Sequence, residues 1–533
     1  MPVQNPGVTS LFALHNLHKT ERAMGVSIER LSSGKRINHA GDDAAGGAIA
    51  DRMTAQIKGL NMSVRNASDV LSMAQVAEGA LDESSKVLQR IRELAIQSAS
   101  DLMNGEERLY LQTEANQLIA ELDRVARDTT FNEIAVLDGT FADRRFQIGS
   151  KEREAATVSI GNLRTEKIGN HTVRTSAVSG TDGENLATAA LRGTTDTVAD
   201  EDFTIHGLLG SKTIDVVANA SAKDVAEAVN IAFDSTGVSA TASTNLKIQG
   251  LANSGSEGSA TLSIGIQGKN STARTISAGV TLGTAVGTSD LTNLSNSINA
   301  YSAETGVVAV LSADKTTVYL TQDEGHDIIL TDLDFADVGD AETHKLQVTG
   351  MDSRLFDTDG TTELLSGSAV NVFDKAFTDS SNQSAGYADS VIVSGQVNMH
   401  ASHSFTVTTD YGTGSDGLFE SSPGVATLNK VSELSLRSRS KSLDALKMVD
   451  KALDKIHMER AKLGAVMSRM DQAIDNLTNV SANTASARSR IVDADMAAEA
   501  GNLTKTQILQ QSAMAMIAQA SKAQQAVLTL LQG

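Results

Sequence analysis

Two stretches near opposite ends of the chain carry apolar residues at the spacing of an amphipathic helix. From Met53 to Ala95, and again from Leu446 to Leu477, apolar residues recur at steps of three, four or seven positions, which places them on one helical face. A helix cannot bury such a face by itself. Because the two stretches lie more than 300 residues apart, we expect them to pack against each other as a helical stem, with the chain between them inserted as a separate region.

The composition restricts both the core and the chemistry of the chain. Its 533 residues include no Cys, no Trp, three Pro and 3% aromatic residues. The core must therefore be built from Leu, Ile, Val, Ala and Met, which suits helical stripes and thin β-sandwiches. Without cysteine the chain has no disulfide, no thiolate metal site and no cysteine nucleophile.

The negative charge of the chain is concentrated in its middle. Of the 65 acidic and 45 basic residues, 32 and 10 lie in residues 176–425, which gives that region a net charge of −22 and leaves 33 and 35, a net of +2, for the flanks. A near-neutral surface permits close self-packing, whereas an acidic one stays solvated. Since no basic domain is available to neutralise phosphates, we expect no nucleic-acid partner. No apolar run is long enough to span a bilayer.

Local signals predict the order of the elements. Asp42 or Asp43 is the expected N-cap of the second helix. Alternating segments at 145–148 and 156–160 predict a β-hairpin beside the stem, and the polar run 481–489 predicts a break between the last two helices. The predicted helices span 7–33, 44–100, 106–128, 431–480 and 503–531.

The central region contains an internal repeat. Residues 229–238 align with residues 298–307 at an offset of 69, and each segment follows a short helical pattern and precedes alternating strands. Self-similarity of this kind indicates duplicated supersecondary units. We predict two related strand-helix-strand units, at about 200–250 and 288–322.

The helices at the two extreme ends have apolar faces that no other part of the chain is expected to cover. Each is about 30 residues long and rich in Ala, Gln and Ser, and isolated helices of this kind are marginal in water. We expect them to stay loose in a free chain and to fold when neighbouring copies cover them, which indicates self-assembly. The predicted self-assembly seams are Leu11, Leu14, Leu17, Ile28, Leu31, Ile508, Leu509, Ile517 and Val527.

Six motifs lie in the flanks of the chain: Glu29–Asn38, Asp42–Gly46, Leu88–Ala95, Leu463–Val466, Ala487–Ile491 and Ile508–Gln511. These motifs, in the same order along the chain, resemble those of bacterial flagellin. The resemblance covers roughly residues 1–175 and 426–533. The repeated central units also resemble a small repeat found in the variable region of many flagellins.

The resemblance and the helical pattern together imply a multidomain α+β fold. Its expected stem is a discontinuous α-helical coiled coil built from both termini, with a β-hairpin, and the insert forms a β-rich outer region. The predicted domains are an inner terminal-helix domain (1–45 with 491–533), a stem domain (46–175 with 426–490) and a solvent-facing insert (176–425).

The resemblance further implies a structural subunit with no enzymatic activity and no cofactor. Such a subunit assembles head-to-tail into the helical flagellar filament that serves bacterial motility. It is exported unfolded by the flagellar type III system and is therefore extracellular. The implied partners are other copies of the chain, the filament cap, the hook-junction proteins and a flagellin export chaperone at the C-terminal helix.

Two sets of receptor-recognition residues are implied by the resemblance. Gln89, Arg90, Leu94 and Glu114 match positions at which Toll-like receptor 5 reads immunostimulatory flagellins. The second set matches the terminal leucines read by cytosolic inflammasome receptors, although this chain ends in Gln532–Gly533 where a basic residue is usual. This set is Leu528, Leu530 and Leu531.

Alternative functions remain open from the sequence. A hook-filament junction protein shares the terminal helices, and an insert with added adhesive or enzymatic activity is compatible with residues 176–425. The acidic run at 323–340 and the segment Asp357–Gly360 resemble parts of calcium-binding loops without the full ligand spacing, so a solvated acidic surface is the preferred interpretation. The ten His show no metalloprotease spacing, and we expect no metal site.

Overall fold

The computed structural model has long helices toward both ends of the chain and β-sheets between them, which confirms the predicted α+β class. The sheets lie between the third helix and the long helix that begins at Arg439. The residues described are 8–175, 187–188, 202–216, 220–252, 258–282, 289–336, 345–356, 363–365, 370–373, 391–409 and 423–531.

The first three helices begin and end within two residues of their predicted bounds. Asp43 caps the second helix as predicted, because its Oδ1 accepts a hydrogen bond from Gly46 N at 2.8 Å. At the third helix, Asn104 and Glu107 form a capping box, each side chain accepting from the other's backbone N–H at 2.9 Å. The helices are α1 (Val8–Ser33), α2 (Ala44–Ser98), α3 (Gly105–Asp128), α4 (Ala222–Ile231), α5 (Phe233–Thr236), α6 (Thr292–Ala300), α7 (Ser302–Thr305), α8 (Arg439–Val492) and α9 (Met496–Leu531).

The α8 helix differs from its prediction at both ends. Val431–Glu433 forms a 3-10 turn and α8 begins only at Arg439. The predicted break over 481–489 is wrong, since α8 continues to Val492. The run contains neither Gly nor Pro, and Thr484 Oγ1 donates to a carbonyl oxygen of its own helix at 2.7 Å. Polar side chains that bond within the helix do not interrupt its backbone ladder.

The strands are mostly short. The predicted hairpin is present as β3 and β4, which pair antiparallel. The strands are β1 (Thr130–Phe131), β2 (Ile134–Ala135), β3 (Arg144–Gln147), β4 (Ala155–Val158), β5 (Gly169–Arg174), β6 (Ala187–Thr188), β7 (Phe203–His206), β8 (Ser211–Ile214), β9 (Ser239–Ala252), β10 (Gly258–Gln267), β11 (Arg274–Leu282), β12 (Val308–Leu311), β13 (Thr317–Gln322), β14 (Ile328–Ala336), β15 (Lys345–Phe356), β16 (Glu363–Leu365), β17 (Val370–Phe373), β18 (Val391–Val393), β19 (Gln396–Ala401), β20 (Thr406–Thr409), β21 (Gly424–Val425) and β22 (Thr427–Lys430).

In the described part of the chain, three sheets contain the strands of the inserted region. The largest has the order β12-β13-β9-β19-β5-β22, with β15 also paired to β9 and carrying β16 and β17. A second has the order β11-β10-β14-β18-β6, and a third has the order β21-β20-β7-β8. The long strand β9 links two apolar cores, because its first half contributes Ala240 to one and its second half contributes Leu246 and Ile248 to the other.

The chain divides into two compact units. We call residues 1–78, 141–159 and 461–533 the terminal unit, and residues 79–140 and 160–460 the central unit. The boundaries fall inside α2 and α8, so each unit contains part of both helices. The finer division into three domains stays a prediction.

Within each unit, α2 and α8 run antiparallel and side by side. In the central unit, Arg92 Nε donates to Asp450 Oδ1 at 2.7 Å, and Asp82 pairs with Arg460 at 3.3 Å. A step of ten residues toward the N-terminus of α2 therefore corresponds to a step of ten residues toward the C-terminus of α8, as in an antiparallel pair. The apolar stripes of both helices are buried here, as predicted, through Leu81, Leu88, Ile91, Val449 and Ile456.

Candidate functional site

The terminal helices α1 and α9 pack along each other in the terminal unit. Arg30 Nη1 lies 3.9 Å from Glu499 Oε1, and this pair joins the end of α1 to the start of α9. The loop after α1 is held to the end of α8, since Arg36 N donates to Val492 O and Arg36 Nη2 donates to Ile491 O, both at 2.6 Å. In the described structure, α1 and the loop after it are therefore held to the start of α9 and to the end of α8.

A groove of about 740 Å³ runs between α1 and α9. On the α1 side, the lining residues are three or four positions apart, and many of them are polar. The hydropathy of the sequence therefore did not reveal the groove. Arg30 Nε is buried in this region and finds no hydrogen-bond acceptor among the described residues. The lining residues are Asn16, Lys19, Thr20, Ala23, Val26, Ser27 and Arg30 from α1, with Glu499, Asn502, Lys505, Thr506, Leu509, Ser512, Ala513 and Met516 from α9.

Large apolar side chains are exposed along both terminal helices. Phe12 and Met516 are each 66% exposed, Ile508 is 58% exposed and Leu11 is 51% exposed. In the central unit, by contrast, the apolar stripe of α2 is buried. Exposed large apolar side chains at this density mark a surface that another molecule covers.

The predicted seam residues do not all face the same way. Leu17 is buried within the subunit, while Leu31 and Ile517 are half-buried. Leu11, Leu14, Ile28, Ile508 and Leu509 are exposed, and the side chain of Val527 lies outside the described part of the chain. The prediction omitted Phe12, Val26, Met514 and Met516, which are also exposed and which helical spacing would have found.

A second candidate site is the α2–α3 surface in the central unit. Arg90 donates from Nε at 3.0 Å and from Nη2 at 2.8 Å to the same oxygen of Glu114, and from Nη1 at 2.9 Å to Glu93. Bonds to Glu93 and then Glu114 raise the pKa of Arg90. Gln89 is exposed beside it, whereas Leu94 is only 1% exposed and packs inside the stem. The structure brings Arg90 and Glu114 together and withdraws Leu94 from the surface.

The structure describes other predicted features only in part. Helix α9 extends to Leu531, but the side chains of Leu528, Leu530 and Leu531 lie outside the described part of the chain. Asp337, Asp340 and the segment 357–360 also lie outside it. Among the residues that the structure describes, no group of three or more His, Asp or Glu side chains is placed to hold a metal ion.

Comparisons with known proteins identify the family. Residues 5–142 match the bacterial flagellin N-terminal helical region, and residues 446–531 match the bacterial flagellin C-terminal helical region. The chain is 33% identical to the B-type flagellin of Pseudomonas aeruginosa over 529 residues, which is 99% of each chain. This chain belongs to the bacterial flagellin family. It is accordingly a structural subunit of the flagellar filament, and the hook-filament junction alternative is not favoured.

Further similarities extend across the whole chain. The flagellin of Salmonella typhimurium is 30% identical over 551 residues, which cover 99% of each chain. Residues 202–252 match the flagellin hook IN motif. The solved structure of FliC from Burkholderia pseudomallei covers 75% of this chain and 99% of that chain at 16% identity, with a TM-score of 0.28 that adds nothing to the fold described above. In the described part of this flagellin, no helix is both long and apolar enough to cross a membrane.

Proposed function

We propose that the subunit polymerises through the apolar faces of α1 and α9, each subunit covering these faces on its neighbours. The exposure of Phe12, Ile508 and Met516 carries this proposal, because no described part of the same chain closes over them. Fully burying one such side chain stabilises an assembly by about 1.5–3 kcal/mol. Several per subunit, summed over the neighbours in a helical lattice, offset the cost of ordering two terminal helices.

The proposed contact is heterologous and joins successive copies head to tail. A repeated head-to-tail contact generates an open helical polymer when the rotation between copies leaves no ring. The buried Arg30 Nε supports this arrangement, since an acceptor on a neighbouring subunit would satisfy a donor that none of the described residues satisfies. Outside residues 176–425 the chain has a net charge of only +2. The flanks of neighbouring copies therefore repel each other little.

The proposal includes the route to the filament and the partners along it. The chain leaves the cell unfolded through the flagellar type III system and folds at the growing end beneath the filament cap, above the hook-junction proteins. An export chaperone binds α9 beforehand and covers its apolar face. The absence of cysteine is compatible with this route, because folding outside the cell then requires no disulfide formation.

We further propose that released subunits are read by Toll-like receptor 5 through Gln89, Arg90 and Glu114. The exposed guanidinium and carboxylate of the Arg90–Glu114 pair support this assignment, since they offer a charged surface of fixed geometry. Leu94 acts as a packing residue beneath that surface. The terminal leucines 528, 530 and 531 are assigned to cytosolic receptors on the resemblance alone.

A seeded polymerisation assay tests the assembly proposal. Phe12→Ser and Ile508→Ser each remove an exposed apolar side chain from a terminal helix, and we expect both variants to raise the subunit concentration needed for filament growth. Leu102→Ser is the matched control, because Leu102 is 94% exposed outside these helices. Electron microscopy and pelleting measure the filaments. Wild-type growth by both variants, or filaments from a chain lacking residues 501–533, would show that the terminal helices are not the contact.

We also propose that the insert has no catalytic activity. Membership of a family of structural subunits supports this. Incubation of the full chain with ester, glycoside and peptide substrates tests it, and turnover that persists through repeated filament purification would favour an enzymatic insert instead.

A further inference from the structure

A polar face of the largest sheet lies next to α8 in the central unit. The strand register places Thr241 of β9 opposite Asn398 of β19, and Asn398 opposite Arg174 of β5. Side chains that are directly opposite in antiparallel strands lie on the same face of the sheet. Lys447 of α8 reaches this face, because its Nζ donates to Thr241 Oγ1 at 3.3 Å. The amine of a stem helix is therefore held against a polar face of the insert.

The amine of Lys447 has a hydroxyl as its partner where most lysines have a carboxylate. The side chain is half-buried, and no carboxylate in the described part of the chain lies within ion-pair distance of Nζ. Lys86 on α2 is a contrasting case, since it pairs with Asp82 at 3.0 Å and with Glu83 at 3.7 Å. An ammonium that is partly withdrawn from water without an ion pair is stabilised less than an exposed and paired one.

The charged groups that face Lys447 from α8 and from the sheet are of both signs. Burial, the largest effect, lowers the pKa of Lys447. Asp444, one turn earlier on α8, opposes this lowering, Arg174 of β5 adds to it, and Asp323, which follows β13, also opposes it. The balance favours the neutral amine more than at an ordinary exposed lysine, and a neutral amine is a nucleophile.

A chain of hydrogen bonds continues from Thr241 into the sheet. Thr241 Oγ1 lies 3.1 Å from His400 Nε2, and Asn170 Nδ2 donates to His400 Nδ1 at 2.9 Å. Burial lowers the pKa of His400 to about 3, so the imidazole is neutral. Because Nδ1 accepts, the ring carries its hydrogen on Nε2 and donates it to Thr241 Oγ1. The hydroxyl hydrogen of Thr241 is then available to a group at the end of the Lys447 side chain.

Two cations lie near the same point. Lys451 is one turn beyond Lys447 on α8, with its Nζ 3.7 Å from Asp454 and 5.8 Å from the centre of the Phe233 ring. Lys451 and Arg174, together with Lys447 itself, disfavour a proton on His400. A negative charge formed on the Lys447 side chain would therefore lie in a positive potential.

We propose that Lys447 is a modification site for carbon dioxide, which adds to its amine to form a carbamate. The Nζ lone pair forms the bond to the carbon of CO₂, one C=O π pair becomes a lone pair on oxygen, and one amine proton passes to water. The carboxylate oxygens of the product accept the Thr241 hydroxyl hydrogen and lie between Arg174 and Lys451. The modification turns a poorly compensated cation into an anion, and so links α8 to the sheet. It does not depend on assembly through α1 and α9.

The test uses the full, unassembled chain with ¹³C-bicarbonate, which equilibrates with CO₂. We expect a carbamate carbon resonance that grows with bicarbonate concentration at neutral to slightly alkaline pH. Lys447→Arg should remove this resonance, since arginine keeps the cation but has no neutral amine to offer. Lys86→Arg is the matched control and should retain it, because ion pairing raises the pKa of Lys86. A wild-type spectrum identical to that of Lys447→Arg would overturn the proposal, whereas a carbamate on the α-amino group appears in all three spectra.

The hydroxyl donor can be tested separately. Thr241→Val keeps the shape of the side chain but removes the hydrogen that the carbamate accepts, so we expect it to weaken CO₂ uptake by about tenfold. Thr113→Val, at an exposed threonine that bonds within α3, should leave the uptake unchanged. Equal uptake by Thr241→Val and wild type would overturn the assigned geometry.

Unfolding of the wild-type chain gives a test that needs no variant. Since the carbamate forms only in the folded chain, its resonance should vanish in urea, and bicarbonate should raise the urea midpoint relative to the same concentration of chloride at fixed pH. Lys447→Arg should show no such rise. A resonance that persists in unfolded wild-type chain would assign the carbamate to an ordinary amine, and an unchanged wild-type midpoint would contradict the link between α8 and the sheet.

Discussion

Ser98 Oγ lies 3.0 Å from Ser442 Oγ, and both side chains are fully buried where α2 meets α8. Ser98 Oγ also donates to Leu436 O at 2.7 Å. Gln112 on α3 donates to Leu434 O at 3.2 Å and accepts from Leu436 N. These side chains satisfy the backbone of the segment that returns from the insert to the stem, at the point where no helix or sheet does so.

We expect Ser98→Ala to destabilise the central unit by about 1–3 kcal/mol, because the substitution removes the short bond to the buried Leu436 carbonyl. Ser72→Ala is the control, since the Ser72 hydroxyl is exposed and bonds within its own helix at 2.9 Å. Urea unfolding gives the difference in stability, and hydrogen exchange at 434–442 locates it. Equal midpoints for the two variants would show that the buried bond contributes nothing net.

A substitution in the Arg90–Glu114 pair is expected to weaken receptor recognition without changing the stability of the subunit. Both side chains are about half exposed, so Arg90→Ala should leave the unfolding midpoint of the subunit nearly unchanged. It should nevertheless abolish most Toll-like receptor 5 signalling by monomeric subunit in a reporter cell. Arg124→Ala, which breaks the exposed pair with Glu121 on α3, is the matched control. Full signalling by Arg90→Ala would remove Arg90 from the recognition surface.

Leu94 should behave in the opposite way. Its side chain is buried, so Leu94→Ala removes packing and is expected to cost about 2–5 kcal/mol of stability. Any loss of receptor signalling should then disappear under conditions that keep the variant fully folded, as judged by circular dichroism. Persistent loss in a folded variant would mean that Leu94 contacts the receptor after a local rearrangement.

His400 gives the central unit a dependence on pH. Asn170 Nδ2 donates to His400 Nδ1 at 2.9 Å, and Thr241 Oγ1 lies 3.1 Å from Nε2. Burial, with Lys447, Lys451 and Arg174 nearby, lowers the pKa of His400 from 6.5 to about 3. In the unfolded chain His400 takes up a proton near pH 6.5, whereas in the folded chain it stays neutral. Below that pH the unfolded state therefore binds more protons, and stability falls as the pH falls.

The expected loss attributable to His400 is roughly 1.4 kcal/mol per pH unit between about pH 6 and pH 4. Burial likewise lowers the pKa of His171, to about 4, so part of the slope will remain without His400. His400→Gln should therefore reduce the slope of unfolding free energy against pH in this window, whatever its effect at pH 7. Parallel curves for wild type and variant would show that His400 does not stay neutral in the folded chain.

The two related units of the insert predict equal effects at positions 69 residues apart. Asn230→Ala and Asn299→Ala each remove two hydrogen bonds to a backbone residue ten positions on. Each should destabilise its own repeat by about 1–3 kcal/mol, with faster hydrogen exchange at Ala240 or Ala309. Asn293→Ala loses one bond on an exposed side chain and is the control. Exchange that quickens in both repeats after either substitution would show that they unfold together.

Long helices were predictable because their signal is repeated along many turns. The bounds of α2 and α3 follow from the apolar spacing and from caps such as Asp43 and Asn104. The predicted break over 481–489 is wrong because polar side chains by themselves do not end a helix, and the run has no Gly or Pro to interrupt it. The hairpin β3–β4 was visible as alternation, whereas the pairing of β9 with β13, β15 and β19 was not.

The candidate sites were predictable to different extents. The exposed positions of α1 and α9 followed from the apolar spacing of both helices, but the groove with its Arg30–Glu499 pair depends on which helix faces meet. Gln89, Arg90, Leu94 and Glu114 came from family resemblance alone. Their sequence did not reveal that Arg90 and Glu114 pair while Leu94 is buried, because exposure depends on the rotation of α2 against its neighbours.

The amino-acid sequence is enough to predict the helical stem, the inserted acidic region, the duplicated unit and the flagellin family. These properties depend on local periodicity, composition and matching motifs, all of which are present along the chain before it folds. Which apolar residues stay exposed depends on the folded chain, in which Phe12 and Ile508 of the terminal helices are exposed and Leu17 is buried. Exposure depends on contacts between segments far apart in sequence, and two segments with the same local pattern bury different faces when different strands pair beside them.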